Sequence, residues 1–177
     1  QKGYNVTICT GENFKPFVQS HGLQFAPVRV DFMTLAQSEK GKKMMSGHPF
    51  VVLKQMKTII FPLMEQMLAD LWEASKDGDV IIYHPKAFGG YDIAEKLGVP
   101  AFIAHVVPVV APTRLFTNPA LPVTLPCGSL NMLSFKVNRL LMASFFKLIN
   151  RWRKEVLGLT NARSILTNDL ELNGKPI

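Results

Sequence analysis

The stretch that decides the fold is Asp79–Pro112, DVIIYHPKAFGGYDIAEKLGVPAFIAHVVPVVAP. Two apolar runs of strand length, Val80–Tyr83 and Ala101–Val107, flank a short amphipathic helix that Gly98 closes. Because the link between the runs is so short, it predicts parallel strands joined by a right-handed crossover. The stretch is therefore predicted to be a βαβ unit.

The same alternation of strands and Gly-closed helices continues outward from this unit. Strands are predicted near residues 4–10, 23–28, 79–84, 100–107 and 164–167. This order is typical of an α/β fold. We expect a Rossmann-like, open, mostly parallel sheet with helices on both faces.

Two longer helices are predicted beside the sheet. Val51–Lys76 is rich in Met and contains Pro62, where a kink or a new helix should begin. Its Met residues are interpreted as core filler, with a lipophilic pocket as the alternative. The helix from about Asn131 to Leu157 has an apolar face and a basic face. It is interpreted as a sheet-covering helix, with contact to an anionic membrane surface as the alternative.

Composition and charge narrow the class of protein. A chain of 177 residues can bury a core without disulfides or metals, and reduced thiols at Cys9 and Cys127 favour a cytoplasmic setting. No uncharged apolar run is long enough to span a membrane. The net charge is +7, but the basic residues are spread along helices and match no nucleic-acid-binding module, so nucleic acid is not expected as a partner.

Ligands of parallel sheets bind beyond the carboxyl ends of the strands, where this sequence has His84 and His105. An imidazole there can hydrogen-bond a hydroxyl or act as a general base, although a polar residue that merely ends a strand is the alternative for each. Gly89-Gly90 is interpreted as a close-packing site, with approach to a ligand as the alternative. Dinucleotide, P-loop, zinc and serine-nucleophile signatures are absent from the sequence.

Four segments together resemble a known family. They are TGENF at 10–14, IAEKLGVP at 93–100, PTR at 112–114 and NRWRKEVLGL at 150–159. In order and spacing they resemble the N-terminal domain of glycosyltransferase family 28, near the sterol, lipid and antibiotic glycosyltransferases. The resemblance covers about Gly3 to Leu172, so residues 1–172 are expected to form this domain and 173–177 to start an interdomain linker.

The resemblance implies half of a two-domain GT-B architecture. In such enzymes the N-terminal domain holds the acceptor and the C-terminal domain holds a nucleotide-diphosphate sugar, which is a substrate, so no cofactor is expected. It implies inverting transfer of a hexose to a hydroxyl of a lipophilic acceptor. The family's catalytic base lies on a glycine-rich loop that would precede Gln1, so this segment alone is expected to be silent and no catalytic residue is assigned.

An acceptor pocket would need apolar walls and a few polar groups. Position at the strand ends, together with the resemblance, makes seven residues candidates for it: His84, Phe88, His105, Val107, Pro108, Arg114 and Phe116. Residues 115–129, rich in Pro, are predicted to be a surface loop that either forms part of the pocket rim or only connects two elements. The rival hypothesis is a non-catalytic α/β module that acts as partner subunit or membrane anchor for a separate catalytic chain.

Overall fold

The computed structural model describes residues 3–30, 34, 37–39, 56–105, 112–121, 123–141 and 143–163. They belong to two compact units, Gln1–Asp77 and Gly78–Ile177. Each unit contains a pair of parallel strands, so the predicted α/β class and parallel pairing are confirmed. Within the described ranges, no helix is long and apolar enough to cross a membrane.

The first unit begins with a strand, a helix and a second strand. Strand β1 (Thr7–Gly11) pairs in parallel with β2 (Gln24–Val28), with Thr7 opposite Gln24 and Gly11 opposite Val28. Helix α1 (Lys15–Ser20) follows a single 3-10 turn and connects them. Gly22, at φ 67°, closes this connection in the left-handed region that the sequence pattern predicts.

Helix α2 (Phe61–Ser75) completes the described part of the first unit, after a π-helical turn at Met56–Ile60. Pro62, where the sequence predicts a kink or a new helix, lies in the first turn of α2. The side chains of Met64, Met67 and Leu68 are buried, so the core-filling role holds for these two methionines.

Asp70, on α2, is a buried charge of the first unit. Its carboxylate accepts hydrogen bonds from the Arg29 backbone N–H at 2.8 Å, from Arg29 Nε at 2.9 Å and from Gln66 Nε2 at 2.9 Å. Because Arg29 directly follows β2, these bonds fix the end of that strand to α2. Burial by itself raises the pKa of Asp70, but the hydrogen bonds from Arg29 and Gln66 outweigh it and hold the pKa below its ordinary value.

The two cysteines are free thiols in different settings. Cys9 lies in β1, where burial and then the charge of Asp70 raise its pKa to about 11. Cys127 is exposed and directly precedes a helix. The structure therefore agrees with the expectation of unpaired thiols.

The second unit contains the predicted βαβ stretch. Strand β3 (Ile81–Tyr83) pairs in parallel with β4 (Ala101–Ile103), and helix α3 (Gly90–Leu97) connects them. Gly98 ends α3 at φ 68°, as its sequence predicts. Both strands are shorter than predicted, and the strand predicted at 164–167 lies outside the described residues.

The β3–β4 pair has one buried and one exposed face. Ile81 and Tyr83 are buried, and α3 contacts this strand. The alternate residues Ile82 and Phe102, which lie opposite each other, are 71% and 58% exposed. In the described part of this unit, the covering helix is therefore seen on one face of the strand pair.

The region of the long basic helix predicted from about Asn131 to Leu157 is described in three ranges. Helix α4 spans Gly128–Leu141, helix α5 spans Ala143–Trp152, and a π-helical turn spans Arg153–Leu157. Gly158, at φ 68°, ends the last segment. The described residues from 128 to 157 are therefore helical, and residue 142 lies outside the described residues.

We expect the Cys127 thiol to react with iodoacetamide at least about tenfold faster than Cys9 near pH 8, because a raised pKa leaves little thiolate. Peptide mapping after timed alkylation measures both rates. The Cys127→Ser variant isolates Cys9, and urea-unfolded protein provides the unprotected rate. Equal rates for the two thiols in the folded chain would contradict the burial of Cys9.

Stability should also depend on the ionisation of Asp70. Since its folded pKa lies below 3.8, its contribution to the free energy of unfolding is complete above that pH. The contribution is lost as the pH falls through the folded pKa. We expect Asp70→Asn to cost about 1–3 kcal/mol at pH 7 and to reduce this acid dependence.

Urea unfolding between pH 7 and pH 2 measures the effect. Asp77→Asn is the matched control, since Asp77 is exposed just beyond the same helix, and we expect it to change stability by less than about 0.5 kcal/mol. If both variants lost stability equally, Asp70 would not be the anchoring charge.

Candidate functional site

The candidate site lies at the carboxyl end of the β3–β4 pair. The last residues of the two strands, Tyr83 and Ile103, are opposite each other, and the Ala104 N–H donates to the Tyr83 carbonyl at 2.8 Å. His84 follows β3 directly and His105 follows β4 after one residue; both are exposed. The topology therefore brings these two predicted site residues to the carboxyl end of the strand pair, which we call the edge.

His84 is held by the turn that follows it. The Ala87 N–H donates to its carbonyl at 2.8 Å, and the Lys86 N–H donates to its Nδ1 at 3.1 Å. Because Nδ1 accepts a hydrogen bond, a neutral His84 ring carries its proton on Nε2. In this arrangement His84 presents an N–H donor to a ligand.

Helix α3 begins at the same edge through a close backbone contact. Gly89 precedes it at φ 104°, a conformation that side chains rarely adopt. A Cβ on Gly90 would overlap the Tyr83 ring and lie 2.6 Å from Tyr83 Cβ. The structure thus supports the packing interpretation of Gly90, and this contact sets the distance between α3 and β3.

Phe88 faces helix α5. Its ring stacks on Phe145 with centroids 5.7 Å apart and an interplanar angle of 5°. The side chain is half-buried, so part of it is already committed to packing between this turn and the helix. Phe88 can still form one wall of a site at the edge.

Arg114 and Phe116 lie on the segment that leads to α4. The Arg114 carbonyl accepts a hydrogen bond from Asn131 Nδ2 at 3.0 Å, and the Phe116 ring is 6.5 Å from that of Phe135. Both side chains are exposed. Val107 and Pro108, the other two predicted pocket residues, lie outside the described residues.

The predicted surface loop is fixed to α4 by a buried polar network that the sequence patterns did not reveal. Ser134 Oγ accepts from the Asn118 N–H at 2.8 Å and donates to the Asn131 carbonyl at 2.6 Å. Thr117 Oγ1 donates to Asn131 Oδ1 at 2.8 Å and accepts from the Leu125 N–H at 2.8 Å. The sequence feature that could have indicated this network is the pair of polar residues at 131 and 134, which lie three residues apart on a helix.

A buried ion cluster fixes the position of helix α3, which begins at the edge. Arg153, in the π-helical turn, is 3% exposed and donates to Asp92, which is fully buried on α3. It also binds Glu95 with two nitrogens, at 2.8 and 3.2 Å, and its Nη2 donates to the Asn161 carbonyl at 2.9 Å. Arg163 binds the second Asp92 oxygen at 3.0 Å.

The cluster is electrically balanced. Burial alone lowers the pKa of Arg153, but its hydrogen bonds to Glu95 and the charge of Asp92 outweigh this and raise the pKa above its ordinary value. Arg153 is therefore permanently charged and serves to position α3. Sequence periodicity missed it because neighbouring basic residues, such as Lys154, are exposed.

Chemically, the described residues of the edge offer an imidazole that is oriented by the turn at His84 and part of the Phe88 ring. The described residues contain no group of three His, Cys, Asp or Glu side chains that could hold a metal ion.

The chain is similar in sequence to known proteins. The profile of the glycosyltransferase family 28 N-terminal domain matches residues 1–116. The sterol 3-beta-glucosyltransferase of Komagataella phaffii is 31% identical over 163 residues, which are 89% of this chain and 13% of that protein. Those of Aspergillus oryzae and Neurospora crassa are 30% and 28% identical over 89% and 91% of this chain. This chain spans about a tenth of the length of these relatives.

Removing the Arg153 charge should destabilise the second unit. We expect Arg153→Met to lower the free energy of unfolding by about 3–5 kcal/mol, because it leaves buried Asp92 uncompensated. Arg153→Lys should be intermediate, since it keeps the charge and loses the two-nitrogen geometry.

Urea unfolding followed by tryptophan fluorescence measures these effects. Lys154→Met removes the same type of charge at the adjacent exposed position and should cost less than about 0.5 kcal/mol. Similar losses for Arg153→Met and Lys154→Met would contradict the role of the cluster.

Proposed function

We infer the function from the premise that this chain belongs to glycosyltransferase family 28, whose N-terminal domain it matches over residues 1–116. We propose that the chain forms the acceptor-binding part of a hexosyltransferase. The observation that carries the proposal is the pair of histidines, His84 and His105, at one edge of a parallel strand pair. This is the position at which open α/β sheets bind ligands.

The proposed acceptor is a lipophilic alcohol of the sterol class. The relatives of this chain are named sterol 3-beta-glucosyltransferases. These names support an acceptor that is a ring-system lipid with a single reactive hydroxyl. The aromatic surface of Phe88 at the edge suits the apolar body of such a molecule, and the exposed imidazoles suit its hydroxyl.

The proposed reaction is a single displacement. The acceptor hydroxyl oxygen forms a bond to the anomeric carbon of a hexose while the bond from that carbon to the diphosphate oxygen breaks. The nucleoside diphosphate leaves with the electron pair, and the hydroxyl proton passes to a base. Attack from the face opposite the leaving group inverts the anomeric configuration. The nucleotide-diphosphate sugar is proposed to bind mainly to a C-terminal donor domain.

Within this reaction, we assign His84 to positioning the hydroxyl. Its Nδ1 lone pair is engaged by the Lys86 N–H, so the neutral ring offers Nε2–H as a donor to the hydroxyl oxygen. A general base needs a free lone pair directed at the proton that it removes. His84 in this arrangement therefore orients the acceptor and does not deprotonate it.

The test uses the complete natural protein with UDP-glucose and a sterol. We expect His84→Ala to raise the acceptor KM about fivefold to tenfold, which corresponds to one lost hydrogen bond, with kcat little changed. His84→Gln places an amide N–H near the former Nε2 and should restore the KM. His105→Ala should also raise the acceptor KM.

His21→Ala is the matched control, because His21 is an exposed histidine of the first unit. A loss of about a hundredfold or more in kcat for His84→Gln would instead identify His84 as a base. If the protein bound a fluorescent sterol without transferring sugar from any nucleotide donor, the rival hypothesis of a non-catalytic binding module would replace this one.

A further inference from the structure

The first unit has a strand-pair end of its own. Strands β1 and β2 finish opposite each other at Gly11 and Val28. Four exposed side chains with polar or aromatic groups directly follow these strand ends: Glu12, Asn13, Phe14 and Arg29. We call these four residues the β1–β2 end. Open α/β sheets bind ligands in this position, and the proposed function assigns no role to it.

Arg29 is held in a fixed orientation. The buried carboxylate of Asp70 accepts hydrogen bonds from its Nε at 2.9 Å and from its Nη2 at 2.5 Å. The Arg29 side chain nevertheless remains 62% exposed. Because these two hydrogen bonds already orient the guanidinium plane, little side-chain entropy is lost when its exposed part donates to a ligand.

Glu12 lies close enough to this guanidinium to interact with its charge. The hydrogen bonds and the charge of Asp70, and after them the charge of Glu12, raise the pKa of Arg29. Since Asp70 already matches the charge of Arg29, the carboxylate of Glu12 disfavours an anionic ligand at the β1–β2 end. The exposed guanidinium disfavours a cationic one. A neutral ligand therefore fits this pair of groups best.

The turn after β1 brings an amide and an aromatic ring to the same place. A Cβ on Gly11 would lie 2.8 Å from Asn13 Oδ1 and 4.0 Å from Phe14 Cδ2. The missing side chain of Gly11 therefore leaves the space in which both groups meet the strand end. Phe14 is 51% exposed, so part of its ring is available as apolar surface beside the amide.

These groups complement a neutral ring that carries several hydroxyls. A carboxylate accepts hydrogen bonds from hydroxyl groups, a guanidinium donates them, and an amide does both. Aromatic surface can pack on the C–H face of a pyranose ring, from which the hydroxyls point outward. A few polar groups beside an apolar wall are the composition with which small-molecule sites orient a ligand.

We propose that the β1–β2 end binds a neutral hexopyranose ring. Phe14 packs on the C–H face of the ring, and Glu12 accepts hydrogen bonds from its hydroxyls. Arg29 and Asn13 donate to the same set of hydroxyls. The site itself is independent of the proposed acceptor and reaction. Only the source of the ring, which is either the donor sugar or a glycosylated molecule, rests on the proposed function.

Two exposed residues of the first unit provide matched controls. Phe17 is 66% exposed, and its ring centroid lies 4.6 Å from that of His21. Replacing Phe17 removes exposed aromatic surface close in sequence to Phe14 and leaves the turn at 12–14 intact. Glu73, an exposed carboxylate on α2, is the corresponding control for Glu12.

The experiment is saturation-transfer difference NMR on the complete natural protein, with methyl β-D-glucopyranoside as the probe. We expect a dissociation constant of about 1 mM and the strongest transfer to the axial hydrogens of one ring face, which packs on Phe14. Phe14→Ala should weaken binding at least about fivefold, whereas Phe14→Tyr keeps the aromatic ring and should retain the affinity. Glu12→Gln should weaken binding about threefold or more.

Phe17→Ala and Glu73→Gln should leave the affinity unchanged. Circular dichroism and the melting temperature establish that each variant folds, and Phe14→Ala and Glu12→Gln test the site independently of each other. Absence of saturation transfer, full affinity in both of these variants, or equal losses in the controls would each overturn the proposal.

Competition distinguishes the two sources of the ring. Displacement of the probe by UDP-glucose but not by UDP would identify the donor sugar, and retention with both would identify a glycosylated molecule other than the donor. Displacement by UDP as well would place the probe in the nucleotide-sugar site and overturn the proposal. Because the binding test needs neither sterol nor turnover, its failure leaves the glycosyl-transfer assay unaffected, and failure of that assay leaves the binding result unaffected.

Discussion

The buried guanidinium of Arg153 is the constraint on which the second unit depends. Two carboxylates three residues apart on α3, Asp92 and Glu95, would repel each other without a cation between them, and Asp92 has no access to water. Arg153 satisfies both and ties α3 to the end of the helical segments. The position of α3 in turn brings Gly90 against Tyr83, and Tyr83 precedes His84. The buried ion cluster thereby helps to set the geometry of the candidate site.

The βαβ unit was predictable because local signals agree there. Two β-rich apolar runs, an amphipathic helix and Gly98 all specify the same structure over Asp79–Pro112, and only the strand lengths differ. The helix predicted at 131–157 lacks such agreement. Its apolar period alone does not show that Arg153 is buried while the adjacent Lys154 is exposed. The burial of Arg153 depends on Asp92, which is 61 residues away in sequence, so local patterns could not reveal it.

The candidate site likewise has some features that the sequence predicts and others that it does not. His84 and His105 were found from topology, since parallel strands end at one edge wherever they pair. The engagement of Phe88 with Phe145, and of Arg114 with Asn131, depends on how α5 and α4 pack, which spacing does not specify. The tautomer of His84 follows from a turn hydrogen bond that only the structure reveals. Sequence therefore located the carboxyl end of the strand pair, and the structure shows which contacts the described residues make there.

The polar network beneath residues 114–118 determines which side chains of α4 are buried and which are exposed. Burying Asn131 and Ser134 turns Leu130, Leu133 and Val137 outward, although burial of those apolar side chains would ordinarily stabilise the helix. Each of the buried polar groups is satisfied by hydrogen bonds, so the arrangement is stable even though it leaves apolar area exposed.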